Sequence, residues 1–271
     1  MKIIERKIQG KLDNDRCEDG IAATDYFIAV ADGSTSKTNL KINPVITNGK
    51  LCMMLVCQFV KNMSKDIAME NFCQGVSDVI TSEYIKSSVD INRLFETPTD
   101  RITASVVVYS DLRREIWMVG DCQCMVDGIL YENPKPYEKE IAKNRATILR
   151  KAIENGESIE NLRKDDIGRK SILSRLKAAC KGQNVIYPVV DGFPIPTSKV
   201  KVIRISEGNH EIVLASDGYP GLKPTLKESE EALKTLLEKD PLCIRQNVAT
   251  KGLAIGQQSF DDRAYVRFTV E

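Results

Sequence analysis

The sequence predicts an α+β fold of antiparallel sheets covered by helices. Two observations carry this. Strand and helix patterns come in groups rather than in strict alternation, and the strand runs are joined by tight polar turns. Size adds a third: 271 residues, 42% of them hydrophobic, can bury one large core, so a single domain over 1–271 is expected.

Ile3 to Leu12 reads as the opening strand, and Tyr26 to Ala31 as a short apolar second strand running into Asp32-Gly33. Two amphipathic helices follow, Asn48 to Asn62 and Met69 to Lys86; in the second, Phe72, Val76, Val79, Ile80 and Ile85 mark a core-facing stripe. Ile102 to Ser110 and Glu115 to Asp121 are strands flanking the polar turn DLRR. Asp127-Gly128 then signals a hairpin between two β-prone runs. Tyr137 to about Lys181 is basic and helical. Lys199 to Ile205 alternates as a half-buried strand, a turn at Glu207-Gly208-Asn209 leads to the strand Glu211 to Ser216, and that strand exits into Asp217-Gly218. Helices at Lys227 to Glu238 and near Ile244 to Lys251 precede the closing strand Arg263 to Val270.

The formal net charge of +1 gives no global attraction to nucleic acid or to an anionic membrane. The longest apolar run, Leu51 to Val60, falls short of the roughly 20 residues a membrane helix needs. The first residues, MKIIERKIQGKL, alternate charged with apolar positions and have no continuous apolar stretch of a signal sequence. The eight cysteines are scattered and form no CxxC pair, and the single histidine is His210. A disulfide framework and a zinc site are both disfavoured, and a soluble cytoplasmic chain with reduced thiols is expected.

Carboxylates are where chemistry concentrates. FIAVADG ends at Asp32, IVLASDG ends at Asp217, and Asp261-Asp262 precede the last strand. Glu18-Asp19 lie just upstream of the strand that ends at Asp32. One Asp-Gly is an ordinary turn, but several strand-end aspartates together are what hard cations such as Mg2+ and Mn2+ require: oxygen ligands held by a rigid sheet. Glycine after the aspartate is expected to permit a sharp turn and to expose its carbonyl.

The order of these motifs resembles the metal-dependent protein serine/threonine phosphatases of type 2C (PPM). The resemblance rests on Glu18-Asp19, VADG through Gly33, Thr103-Ala104, Gly120-Asp121-Cys122, LASDG through Gly218 and Asp261-Asp262, and spans nearly the whole chain. It implies a four-layer α-β-β-α sandwich of two antiparallel sheets. It also implies hydrolysis of phosphoserine and phosphothreonine in phosphoprotein substrates, by a water activated between two Mn2+ or Mg2+ ions, with a third ion an option. By position, Asp32 resembles the carboxylate that bridges both metals, and Gly33 the carbonyl ligand. Asp217 and Asp261 resemble further direct ligands, Asp19 and Glu18 the acidic pair, and Asp121 a contributor to the third ion. The segment at about 135–185 resembles the family's variable flap, whose basic face would dock a phosphoprotein near the site.

The departures from the pattern are specific. Ser34-Thr35-Ser36 follow Asp32-Gly33 where the family usually carries a histidine or methionine and then glycines, so the usual general acid is missing. Asn14 stands where the phosphate-binding arginine is common, which leaves Arg16 as the candidate to reach phosphate, and Cys122 replaces a serine. Two other readings stay open: a catalytically silent module that keeps the fold and binds a partner, and a hydrolase of small phosphomonoesters.

Overall fold

The computed structural model describes residues 1–271. One sheet contains β1 (Lys2–Gln9), β10 (Arg263–Val270), β9 (His210–Ala215), β6 (Gln123–Val126) and β7 (Ile129–Tyr131), in that order. The other contains β2 (Asp19–Ala23), β3 (Phe27–Gly33), β4 (Ala104–Ser110), β5 (Glu115–Val119) and β8 (Lys201–Arg204). Every pairing is antiparallel.

Period-two alternation explains the layers. Along β3, Ile28 and Val30 point into an apolar layer shared with Leu214 of β9 and Val266 of β10, so this face packs sheet on sheet. Phe27, Ala29 and Ala31 point the other way, against α1 (Asn48–Asn62) and α2 (Met69–Lys86). On the far side, Val213, Ala215 and Tyr265 pack against Leu233 of α7 (Leu226–Lys239). The result is the expected α-β-β-α sandwich. Asp32 continues the Ile28–Val30 face, so its carboxylate sits where the layer between the sheets gives way to polar residues.

Between the sheets' strands lie α3 (Ile91–Glu96), α4 (Glu138–Glu154), α5 (Ile159–Lys164) and α6 (Ile167–Ala179). The last three divide the basic segment. Ile141 of α4 packs on Ile172 and Leu176 of α6, while Ala146 and Leu149 pack on Leu162 of α5 and on Leu242 and Ile244. At Asp127-Gly128 both residues have positive φ, 49° and 81°, as a two-residue hairpin turn of type I′ requires.

Three local expectations are corrected. The first strand stops at Gln9, because the Gly10 amide turns aside to Asn14 Oδ1 at 3.0 Å and the Lys11 amide to Asp262 Oδ1 at 2.7 Å. Residues 19–23, DGIAA, form a strand that their composition does not announce. No helix forms near 244–251. Asp240 binds the amides of Ile244, Arg245 and Gln246 as a cap would, but the carbonyls of Leu242, Cys243 and Ala249 accept from the buried guanidinium of Arg145. Those oxygens are therefore occupied by a side chain from α4. Cys243 also has φ 51°, which breaks a helix.

All eight cysteines are free and buried. No helix is long and apolar enough to cross a membrane.

Candidate metal centre

Asp32 at the end of β3, Asp121 in the β5–β6 turn and Asp217 just after β9 converge. Each offers a carboxylate oxygen within 4.8 Å of the others. Gly33 and Gly218, which follow Asp32 and Asp217, are there for close approach, not for turn conformation, since neither has positive φ. A Cβ on Gly33 would lie 2.1 Å from the carbonyl oxygen of Gly49 in α1, and one on Gly218 would lie 2.0 Å from that of Asp262. Gly33 thereby lets β3 abut the start of α1, and Gly218 lets the β9 exit abut the residues before β10. These contacts fix the positions from which Asp32 and Asp217 project.

The carboxylates divide into two groups. Asp32 and Asp217 have no protein donor, and burial first, then the neighbouring aspartates, pushes both well above the usual carboxylate range. Asp19, the register partner of Asp32 across β2 and β3, is raised for the same reasons, and its Oδ2 is buried without a hydrogen-bond partner. This is an electrostatic deficit that a cation would relieve. The second group is already compensated. Asp121 accepts from Ser105 Oγ at 2.5 Å and from Lys135 Nζ at 2.6 Å. Burial alone would raise it, but Lys135 and Ser105 hold it below its ordinary value. Asp261 is paired with Lys251 and lies 3.6 Å from Lys11 Nζ, and against burial these lysines keep it low.

Glu18 is turned away from the cluster. Its carboxylate accepts from Thr35 Oγ1 at 2.5 Å and Thr47 Oγ1 at 2.6 Å, tying the loop after Asp32 to the N-cap of α1. Arg16 is not brought to the cavity. It lies in a short 3-10 turn, its side chain is 73% exposed, and its partner is Asp13 at 3.6 Å. His210 is also remote, bonded to Asp127 Oδ2 at 2.6 Å and Ser206 Oγ at 2.9 Å, between the tip of the β6–β7 hairpin and the loop from β8 to β9.

The cavity that Asp32, Gly33, Asp121, Asp217 and Asp261 line also holds four basic side chains, Lys37, Lys135, Arg169 and Lys251. Lys135 and Arg169 belong to the basic 135–185 segment, whereas sequence reasoning missed Lys37 and Lys251. Lys37 has one local signal, its place in the loop that follows Asp32. Arg169 comes from α6, where it donates to the Thr250 carbonyl at 3.0 Å. Lys251 comes from the irregular segment that Arg145 organises, and no spacing in the sequence links it to Asp261. Lys37 differs from Lys135 and Lys251 in having no carboxylate partner. Burial first, then Lys135, Arg169 and Lys251, lowers its pKa.

No family model matches the sequence, and no curated protein matches it. Among solved structures, the chain is similar to the catalytic domain of the serine/threonine protein phosphatase PstP in complex with two manganese ions. The identity is 14%, the match covers 98% of this chain and 97% of that one, and the TM-score is 0.46. It is also similar to the serine/threonine phosphatase Stp1 from Staphylococcus aureus, with 13% identity, 98% and 94% coverage and a TM-score of 0.48. A third is RsbX in complex with magnesium, with 12% identity, 98% and 97% coverage and a TM-score of 0.46. Solved serine/threonine phosphatases are what this chain is similar to from end to end, at identities that leave the roles of its residues to its own geometry.

Proposed function

We propose that this chain is a metal-dependent phosphatase that hydrolyses phosphoserine and phosphothreonine in cytoplasmic proteins, using Mn2+ or Mg2+. The observation that carries the proposal is the convergence of Asp32, Asp121 and Asp217 within 4.8 Å, two of them with no protein donor. All-oxygen, anionic and rigidly held, the donor set fits a hard divalent cation. Bound there, such an ion would lower the pKa of water and offset phosphate charge.

The chain's own residues have distinct parts. Asp32 and Asp217 bind the cation, with Asp121 from the turn beside them. Asp19 adds negative charge from behind Asp32, and the Gly33 carbonyl and Asp261 complete the rim. Glu18 acts through Thr35 and Thr47 as a positioning residue for the loop that carries Lys37. Lys37 and Arg169 receive the phosphate oxygens, since both point cationic groups into the cavity without a carboxylate partner. Lys37, kept less basic than an ordinary lysine, is also placed to give the departing serine or threonine oxygen its proton, a task no histidine of this chain can reach. The 135–185 segment, which contributes Lys135 and Arg169, docks the protein substrate.

Phosphate release from a phosphothreonine peptide tests this. Release with Mn2+ that stops with EDTA is expected; no release under any divalent cation would overturn it. The silent-module reading is favoured by one observation, the lysines already paired with Asp121 and Asp261. Such a module need not bind Mn2+, whereas the phosphatase must.

A further inference from the structure

The geometry points to Lys251 and Lys11 occupying the charge position of one of the two cations, so that this chain binds a single divalent ion among Asp32, Asp121 and Asp217. The inference rests on the metal-site reading above and narrows it.

The carboxylate oxygens of Asp261, Asp262 and Glu18 all have partners within the chain. Asp261 Oδ2 meets the Lys251 ammonium. Asp261 Oδ1 accepts the Asp262 amide at 3.0 Å and lies 3.6 Å from Lys11 Nζ. Asp262 binds the Lys11 amide at 2.7 Å through Oδ1. Its Oδ2 binds Lys11 Nζ at 3.1 Å and the Glu18 amide at 3.2 Å. Both Glu18 oxygens are held by threonines, and Lys11 Nζ lies 3.9 Å away. Two ammonium groups thus already supply positive charge to these three carboxylates. Asp19, whose Oδ2 has no partner, is the one carboxylate of this flank left open. A divalent ion touching Asp261 would lie against the Lys251 ammonium, and like charges at contact distance in a dry site repel strongly. On the other flank the compensation is partial, with Lys135 Nζ, 2.6 Å from Asp121 Oδ2, as the one ammonium contact. Asp32 and Asp217 lack donors, and Asp121, although bonded to Ser105 and Lys135, keeps lone pairs on both oxygens. An ammonium donates three hydrogen bonds but has no open site to ligate and acidify water as a Lewis acid, so the substitution preserves charge without preserving a second ion's chemistry.

Titration calorimetry with Mn2+ alone decides the matter, without recourse to activity. The wild-type chain is expected to bind about one Mn2+, and Lys251→Met about two, because removing the ammonium frees Asp261 for the ion. Lys11→Met is the second variant should Lys251→Met fail to fold, as judged by its thermal melt; it too should gain an ion. Two Mn2+ on the wild-type chain would overturn the inference while leaving the metal site intact. One Mn2+ on wild type and variants alike would also overturn it. No binding to wild type would instead remove the metal reading itself.

Discussion

Asp19, buried, and Asp32, half-buried, stand directly opposite one another on neighbouring antiparallel strands at the end of the β2–β3 ladder. Like charges in such a pair oppose folding, and no protein donor reaches Asp32; Lys135 offsets its charge only in part. The structure therefore keeps an unfavourable arrangement whose sense lies in what it attracts.

Asp32→Asn should separate stability from function. It removes one member of this pair and relieves Asp217 while leaving side-chain size almost unchanged. The metal-free melting temperature is expected to hold or rise, while Mn2+ affinity falls at least about tenfold, the loss of one strong ligand. Parallel melts with and without Mn2+ check both halves. Loss of metal-free stability would show that Asp32 serves the fold instead.

The stability of the metal-free chain should fall as pH rises above the ordinary carboxylate range. Asp19, Asp32 and Asp217 have folded-state pKa values raised above those of an unfolded chain. The folded state thus binds more protons, and their favourable contribution is full below the unfolded value and lost as pH climbs through the raised ones. Mn2+ should restore stability at pH 7.5 more than at pH 5.5, because protons compete for the same oxygens. Equal Mn2+ effects at the two pH values, in urea melts, would contradict this.

Glu230 of α7 sets the acid limit in the opposite direction. Burial would raise its pKa, but hydrogen bonds from Arg263, Tyr219 and Lys7 bring it down from 4.5 to about 2. Arg263 grips it with two contacts of 2.9 Å. The stability it confers is present above the unfolded value and lost as pH falls from about 4.5 toward 2. Glu230→Gln should cost about 2 kcal/mol at pH 7, as charge-assisted hydrogen bonds do, and should flatten the acid limb of the stability curve.

Arg145→Met tests how Lys251 reaches the site. The buried guanidinium holds three carbonyls of the 242–249 segment and the Asp166 carboxylate at 2.6 Å. Its removal should cost about 3 kcal/mol and raise amide exchange across 242–251 while leaving β3 and β4 protected. Uniform exchange changes throughout the chain would contradict a local role.

These residues also show what could be read from sequence. Asp32, Asp121 and Asp217 each follow or join strands, a context that local patterning reveals, and the structure brings these three together. The layered fold was legible for the same reason: Ile28, Val30 and Phe27, Ala29 sort by parity alone. The basic segment that carries Lys135 and Arg169 was legible, but which of its cations enter the cavity was not, and Lys251 was not legible at all. Each comes from a helix or irregular segment whose position depends on long-range contacts, as Arg145 with the 242–249 carbonyls shows. The 244–251 helix failed on the same ground, since periodicity carries no information about a guanidinium arriving from α4. Arg16 was named by proximity in sequence to Glu18, and the 3-10 turn points it at Asp13 instead.

The docking role of the basic segment has its own check. Lys139 and Lys143 are exposed on α4. Replacing both with glutamate should lower kcat/KM on a phosphoprotein about tenfold and leave turnover of a small aryl phosphate unchanged. Equal effects on both substrates would reduce this face to solvated surface.

The most direct measurement is phosphate release from a phosphothreonine peptide by the wild-type chain and by Asp217→Asn, each across a Mn2+ titration. Asp217 has no protein partner, so its replacement disturbs no internal contact and isolates the metal role. The account predicts saturable, Mn2+-dependent release by the wild-type chain. For Asp217→Asn it predicts a rate at least about a hundredfold lower and a right-shifted Mn2+ dependence, as removal of a metal-binding carboxylate implies. Release by Asp217→Asn at the wild-type rate and with the wild-type Mn2+ dependence would contradict it.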